Sequence, residues 1–184
     1  MTPLSATDRA ALLGIARGAI LAHLEGRPLP DPPAKGALAE VRGAFVTLHV
    51  RGELRGCVGT FQPTESLART VAKMAVAAAS DDPRFRPIEP GEVPDLDVSI
   101  SALGPRQPLS DPRAVRVGMD GLIARRGWHR GALLPKVAVE NSWTAEEFLK
   151  HVCLKAGLPS RAWREPGTEL EVFQADEFGE EPAP

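Results

Sequence analysis

Between positions 96 and 102 the chain alternates strictly: Leu96, Val98, Ile100 and Ala102 are apolar, and Asp97, Ser99 and Ser101 between them are polar. So clean a period of two requires an extended strand with one dry and one wet face, which is the habit of antiparallel sheet. The dry face must be covered, and the flanking sequence supplies helices to cover it. Leu12, Ile15, Ala16, Ala19, Ile20 and Leu24 recur at helical spacing behind Ser5 or Thr7 as cap, until Gly26 and Pro28 stop the run. Leu67, Val71, Met74, Ala75 and Ala78 form the stripe of a second helix, opened at Pro63-Thr64 and ended by Asp81-Asp82-Pro83-Arg84-Phe85. Thr144 and Glu147 make a capping box ahead of Phe148, Leu149, Val152, Cys153 and Ala156, and that helix ends at Gly157.

The remaining apolar runs predict strands. Residues 45–50 and 53–61 flank a turn at Arg51-Gly52. A two-residue loop would put Val46, Leu48 and Val50 on the face of Cys57, Arg55 and Glu53. A three-residue loop would align them with Leu54, Gly56 and Val58, and the apolar match favours this longer loop. Asp120-Gly121 reads as a hairpin turn between strands at 115–119 and 122–125. Gly127 to Gly131 turns the chain again into 132–134, and 170–175 is a last strand. Hairpins interspersed with about three helices predict an α+β fold, mostly antiparallel sheet, as one domain over 5–178 followed by a disordered tail at 179–184.

A chain of 184 residues can bury a core without staples, and its 43% hydrophobic and 25% charged residues match ordinary globular composition. The formal net charge of -2 argues against general nucleic-acid binding, which needs a strong basic field. Cys57 and Cys153 are too few for a disulfide framework. The first eight residues lack the basic and apolar regions of a signal peptide, and no apolar run reaches the roughly 20 residues that span a bilayer. The expected compartment is therefore the cytoplasm.

The unusual segment is Arg55-Gly56-Cys57-Val58-Gly59-Thr60. Glycines weaken a strand and are tolerated at a bulge, or where a ligand or another backbone approaches closely. Cys57 lies two residues from Arg55, hence on the same face of a regular strand, and a neighbouring guanidinium would favour the reactive thiolate. The plainer reading is a buried structural cysteine beside a bulge that bends the sheet. Cys153 lies on an apolar stripe and reads as core. His151 is two residues from it on a helix and points elsewhere, and with no CxxC or HExxH the cysteines predict no metal site. His23, His49 and His129 are isolated. Arg125, Arg126, His129 and Arg130 around Trp128 read as a solvated loop, with phosphate or single-stranded nucleic acid as the alternative.

Leu54-Arg55-Gly56-Cys57-Val58-Gly59-Thr60-Phe61 resembles the signature of the AMMECR-domain family. The similarity continues in Asp82-Pro83-Arg84-Phe85, in Pro94 to Ser101, in Gly118-Met119-Asp120-Gly121-Leu122-Ile123, in Leu133 to Glu140 and in Cys153-Leu154-Lys155-Ala156-Gly157-Leu158. It departs from the usual family form at Lys136, where Gln is usual, and at Trp128, where a smaller residue is usual. The resemblance implies an α+β fold with a main lobe and a smaller one. It implies a place beside a radical SAM enzyme and a Memo-like protein of dioxygenase-type fold, as in AmmeMemoRadiSam system protein A, with a functional cleft at residues 55–60. It implies no cofactor and assigns no reaction. Two classes of function follow. One is a catalytic or ligand-binding component, with Cys57 as thiol, Arg55 as anion clamp, and Gly56, Gly59 and Thr60 along the ligand. The other is a non-catalytic docking module for those partners. Catalysis needs a general base, for which Glu53, Glu140 and His49 are the candidates.

Overall fold

The computed structural model describes residues 2–180. In chain order its elements are α1 (Ala6–Leu24), β1 (Ala44–Val50), β2 (Glu53–Thr60), α2 (Leu67–Ser80), β3 (Leu96–Leu103), β4 (Gln107–Pro108), β5 (Gly121–Arg126), β6 (His129–Leu133), α3 (Pro135–Glu140), α4 (Ala145–Lys155), β7 (Glu169–Phe173) and β8 (Ala175–Gly179), with short 3-10 turns between them. The fold is α+β, and the chain divides into two compact units. One holds the residues up to Leu103 and from Asp176 onward; the other is Gly104–Ala175.

The first unit is a four-stranded sheet in the order β2-β1-β3-β8. Val46, Leu48, Val98 and Ile100 turn their side chains into one core with Leu12, Ala16 and Ile20 of α1 and Leu67, Val71, Ala75 and Ala78 of α2. The alternation at 96–102 thus packs as expected. Of the two cap candidates Ser5 is the one used: its hydroxyl accepts from the Asp8 N–H while the Asp8 carboxylate accepts from the Ser5 N–H. The second helix opens later than Pro63-Thr64, because Ser66 accepts from the Arg69 N–H and sets the first turn at Leu67.

The β1–β2 hairpin corrects the expected loop. Val50 faces Glu53 across a two-residue turn, with Arg51 at φ 52° and Gly52 at φ 79°. Positive φ at both central residues gives the type I′ geometry that suits strand twist. The register then shifts, because His49 faces Leu54 while Leu48 faces Gly56, so Arg55 is the extra residue of a β-bulge. The bulge achieves what a longer loop would have: Val46 lies opposite Val58, Leu48 opposite Gly56, and Cys57 opposite Thr47, away from the dry face.

The second unit is a sheet in the order β4-β7-β5-β6, with Leu122 and Ala124 packed against Phe148, Leu149, Val152 and Cys153 of α4. The strand expected at 115–119 is absent. There the Arg116 N–H and guanidinium donate to the Asp120 carboxylate, and the Asp120 N–H returns to the Arg116 carbonyl, which closes a local turn instead of a hairpin. The expected last strand is β7, and a further strand, β8, follows it, so Gly179 closes a strand. Glu180 binds Arg17 and the Val98 N–H, and residues 181–184 of the expected tail lie outside the described residues. Among the described residues no helix is long and apolar enough to cross a membrane.

Candidate functional site

The two signature glycines are both needed for packing. A Cβ built on Gly56 would lie 2.0 Å from the Ala78 carbonyl oxygen, so the glycine lets the last turns of α2 press against β2. A Cβ on Gly59 would lie 2.2 Å from the ring of Phe45, its cross-strand partner. Phe45 in turn stands edge-on to Phe61 with ring centroids 4.8 Å apart.

Cys57 sits between these glycines on the edge strand of the sheet, partly exposed. Its outer edge is closed by the segment after α2. The Cys57 N–H donates to Asp82 Oδ2 at 2.8 Å, and its carbonyl accepts from Arg84 Nη2 at 3.5 Å, so one acid–arginine pair stands in for a missing neighbouring strand. Asp82 is 5% exposed and is gripped by Arg84 through Nε and Nη2 at 2.9 and 2.6 Å. Its bonds from the Arg84 side chain, joined by those from the main chain, outweigh burial and hold its carboxyl well below the usual carboxylate range. On the inner side, the buried Thr47 hydroxyl donates to Cys57 Sγ at 3.2 Å.

Arg55, the bulged residue, is engaged elsewhere. Its Nε and Nη2 meet the Glu92 carboxylate at 3.0 and 3.2 Å, and both Nη atoms approach the Arg86 carbonyl. This bond to Glu92 raises the Arg55 pKa and lowers that of Glu92. The arginine beside Cys57 is therefore Arg84. Thr60 ends the strand with its hydroxyl accepting from the Gln62 N–H. Thr47, Asp82, Arg84 and Glu92 are the residues sequence reasoning missed. The Asp82-Pro83-Arg84-Phe85 motif holds the signal for two of them, since it both ends a helix and belongs to the family resemblance, but nothing local ties it to Cys57.

Of the base candidates, Glu53 stands exposed at the start of β2, whereas His49 lies two residues from Thr47 on β1, directly opposite Asp97 of β3. Glu140, the last residue of α3, belongs to the second unit. Among the described residues no group of three or more His, Cys, Asp or Glu could hold a metal ion. Cys153 is fully buried on α4, and burial pushes its thiol up. In the second unit the arginine loop is a two-residue turn at Gly127-Trp128, with Arg126 facing His129. Arg125 pairs with Glu169, and Arg126 with Glu165 and Thr168, while Trp128 is fully exposed.

The profile of the AMMECR1 family matches residues 13–178. A protein of Methanothermobacter thermautotrophicus is 45% identical over 188 residues, 97% of each chain, and one of Methanopyrus kandleri is 42% identical over 92% of this chain and 87% of its own. The crystal structure of an uncharacterised protein from Pyrococcus horikoshii superposes with a TM-score of 0.86 at 39% identity, covering 93% of this chain and 90% of that one.

Proposed function

The chain belongs to the AMMECR1 family, and on that premise we propose that it is one component of a modification system acting with a radical SAM enzyme and a Memo-like protein, with its working group at Cys57. The partnership is supported by the resemblance of its motifs to the proteins that share that setting. The thiol is supported by one observation: Cys57 is held from three sides, by Thr47 on its sulfur, Asp82 on its N–H and Arg84 on its carbonyl, yet remains partly open. Of these contacts the one from Thr47 is made to the sulfur itself, and the other two fix the main chain that carries it. A ligand of the thiol reaches Cys57 on its partly open side, since Ala78 and Phe45 cover Gly56 and Gly59, and Arg55 braces the strand through Glu92.

A second reading, a docking module without chemistry, is favoured by the packing demands at Gly56 and Gly59 and by the occupied guanidinium of Arg55. Cys57→Ala separates the two. The variant should keep its melting temperature, keep co-purifying with its partners, and fail to restore function in cells lacking the native protein. Full restoration by Cys57→Ala would favour docking, and failure of the native chain to co-purify with either partner would remove the partnership.

A further inference from the structure

Building on the reading of Cys57 as the working thiol, we infer that Thr47 and His49 of β1 complete its site, Thr47 positioning the sulfur and His49 taking its proton. Because the N–H and carbonyl of Cys57 point outward to Asp82 and Arg84, the Thr47–Cys57 pair is the close, non-hydrogen-bonded kind, with Cα atoms about 4.5 Å apart. That closeness brings the Thr47 hydroxyl to 3.2 Å from the sulfur. Thr47 is 7% exposed, so its hydroxyl needs a partner, and the sulfur is the partner it has.

His49 follows Thr47 by two residues and so projects from the same face of β1. Diagonal neighbours across antiparallel strands are about 7–8 Å apart, within reach of a long side chain, and His49 is the diagonal neighbour of Cys57. Directly opposite His49 on β3 stands Asp97, and beside it Ser99 faces Thr47. His49 and Asp97 are both half-buried, and neither has a hydrogen bond or ion pair among the described residues. An imidazole and a carboxylate, paired in register, thus lie beside a held thiol, the carboxylate also within the electrostatic reach of Arg17. The other nearby acid cannot serve as base, because both oxygens of Asp82 are committed to Arg84 and main-chain N–H groups. The titratable groups flanking His49 are Asp97 on β3 and Cys57 on β2, with Arg51 and Glu53 at the turn beyond and Arg17 of α1 interacting with Asp97.

In the step this predicts, an imidazole nitrogen accepts the S–H proton as sulfur forms a bond to an electrophilic carbon, and the leaving group departs with the bonding pair. Iodoacetamide is a direct probe, with iodide as leaving group. In the full chain its rate at Cys57, followed by peptide mass spectrometry with Cys153 as internal control, should fall about tenfold or more at neutral pH in His49→Gln. The deficit should close in alkali, where hydroxide removes the proton instead. Thr47→Val should slow the reaction and Thr47→Ser restore it; His49→Ala, with thermal melts of every variant, separates lost reactivity from lost folding. A wild-type rate in folded His49→Gln at every pH overturns the assignment of the base, and a wild-type rate in Thr47→Val overturns that of the positioning residue. If native Cys57 reacts only after unfolding, the thiol reading itself falls, and with it this inference.

Discussion

Asp82 carries the most consequence per atom in the first unit, since it binds the Cys57 main chain and Arg84 together. Asp82→Asn removes the charge and turns one accepting oxygen into an amide NH2 that faces donors. A wholly buried ion pair would lose about 3–5 kcal/mol on breaking. The Arg84 side chain is 55% exposed, so solvent recovers part of that, and the expected loss is about 1–3 kcal/mol in urea unfolding. The pH dependence has a definite sign. The folded carboxyl titrates below its unfolded value, so its stabilisation is present above the ordinary carboxylate range and disappears as the pH falls below about 4. The native chain should therefore lose stability on acidification, and the loss should be smaller in Asp82→Asn.

At the level of elements, the two sheets repeat two devices. A strand glycine admits a helix end: Gly56 beneath Ala78 of α2, and Gly131 beneath Ala156 at the end of α4, where a built Cβ would lie 2.3 Å from the Ala156 nitrogen. A second glycine sits under a cross-strand phenylalanine: Gly59 under Phe45 and Gly121 under Phe173. Because the obstacle at Gly56 is backbone, Gly56→Ala should cost about 3 kcal/mol or more, as overpacking does at its upper end. Gly14 and Gly18 inside α1 have nothing within 4 Å of a built Cβ, so alanine at either should stabilise by about 0.5–1 kcal/mol. Thermal melts of the three variants check both signs, and a neutral Gly56→Ala would return that glycine to a ligand role alone.

Over the whole molecule, 22 Lys and Arg against 24 Asp and Glu leave no basic field. The arginines that made the 125–130 loop conspicuous are mostly neutralised in place, Arg125 by Glu169 and Arg126 by Glu165. Duplex DNA should accordingly bind weakly and lose that binding with added salt. Tight, sequence-selective binding at physiological salt, measured by fluorescence anisotropy, would promote that loop and its exposed Trp128 to a functional surface.

What depends on neighbours along the chain is legible from the residues alone. The alternation at 96–102, the stripes of α1 and α2 and the capping box at Thr144 are local patterns, because burial periodicity and cap chemistry act over a few residues. The sequence marked Cys57 and its glycines as unusual for the same reason: glycine in a strand is a local anomaly. Residues distant in sequence were illegible. The partner of Arg55 is Glu92, 37 residues on, and the partner of Cys57 is Asp82, 25 residues on. The strand at 115–119 failed because an Arg116–Asp120 contact beat the turn propensity of Asp-Gly. The apolar match of the two strands already turned Cys57 away from the dry face; how the chain achieves it, by a two-residue turn with Arg55 bulged instead of a longer loop, emerged only with the fold, because a one-residue slip turns every side chain of a strand to the other face and the backbone can absorb it at either place.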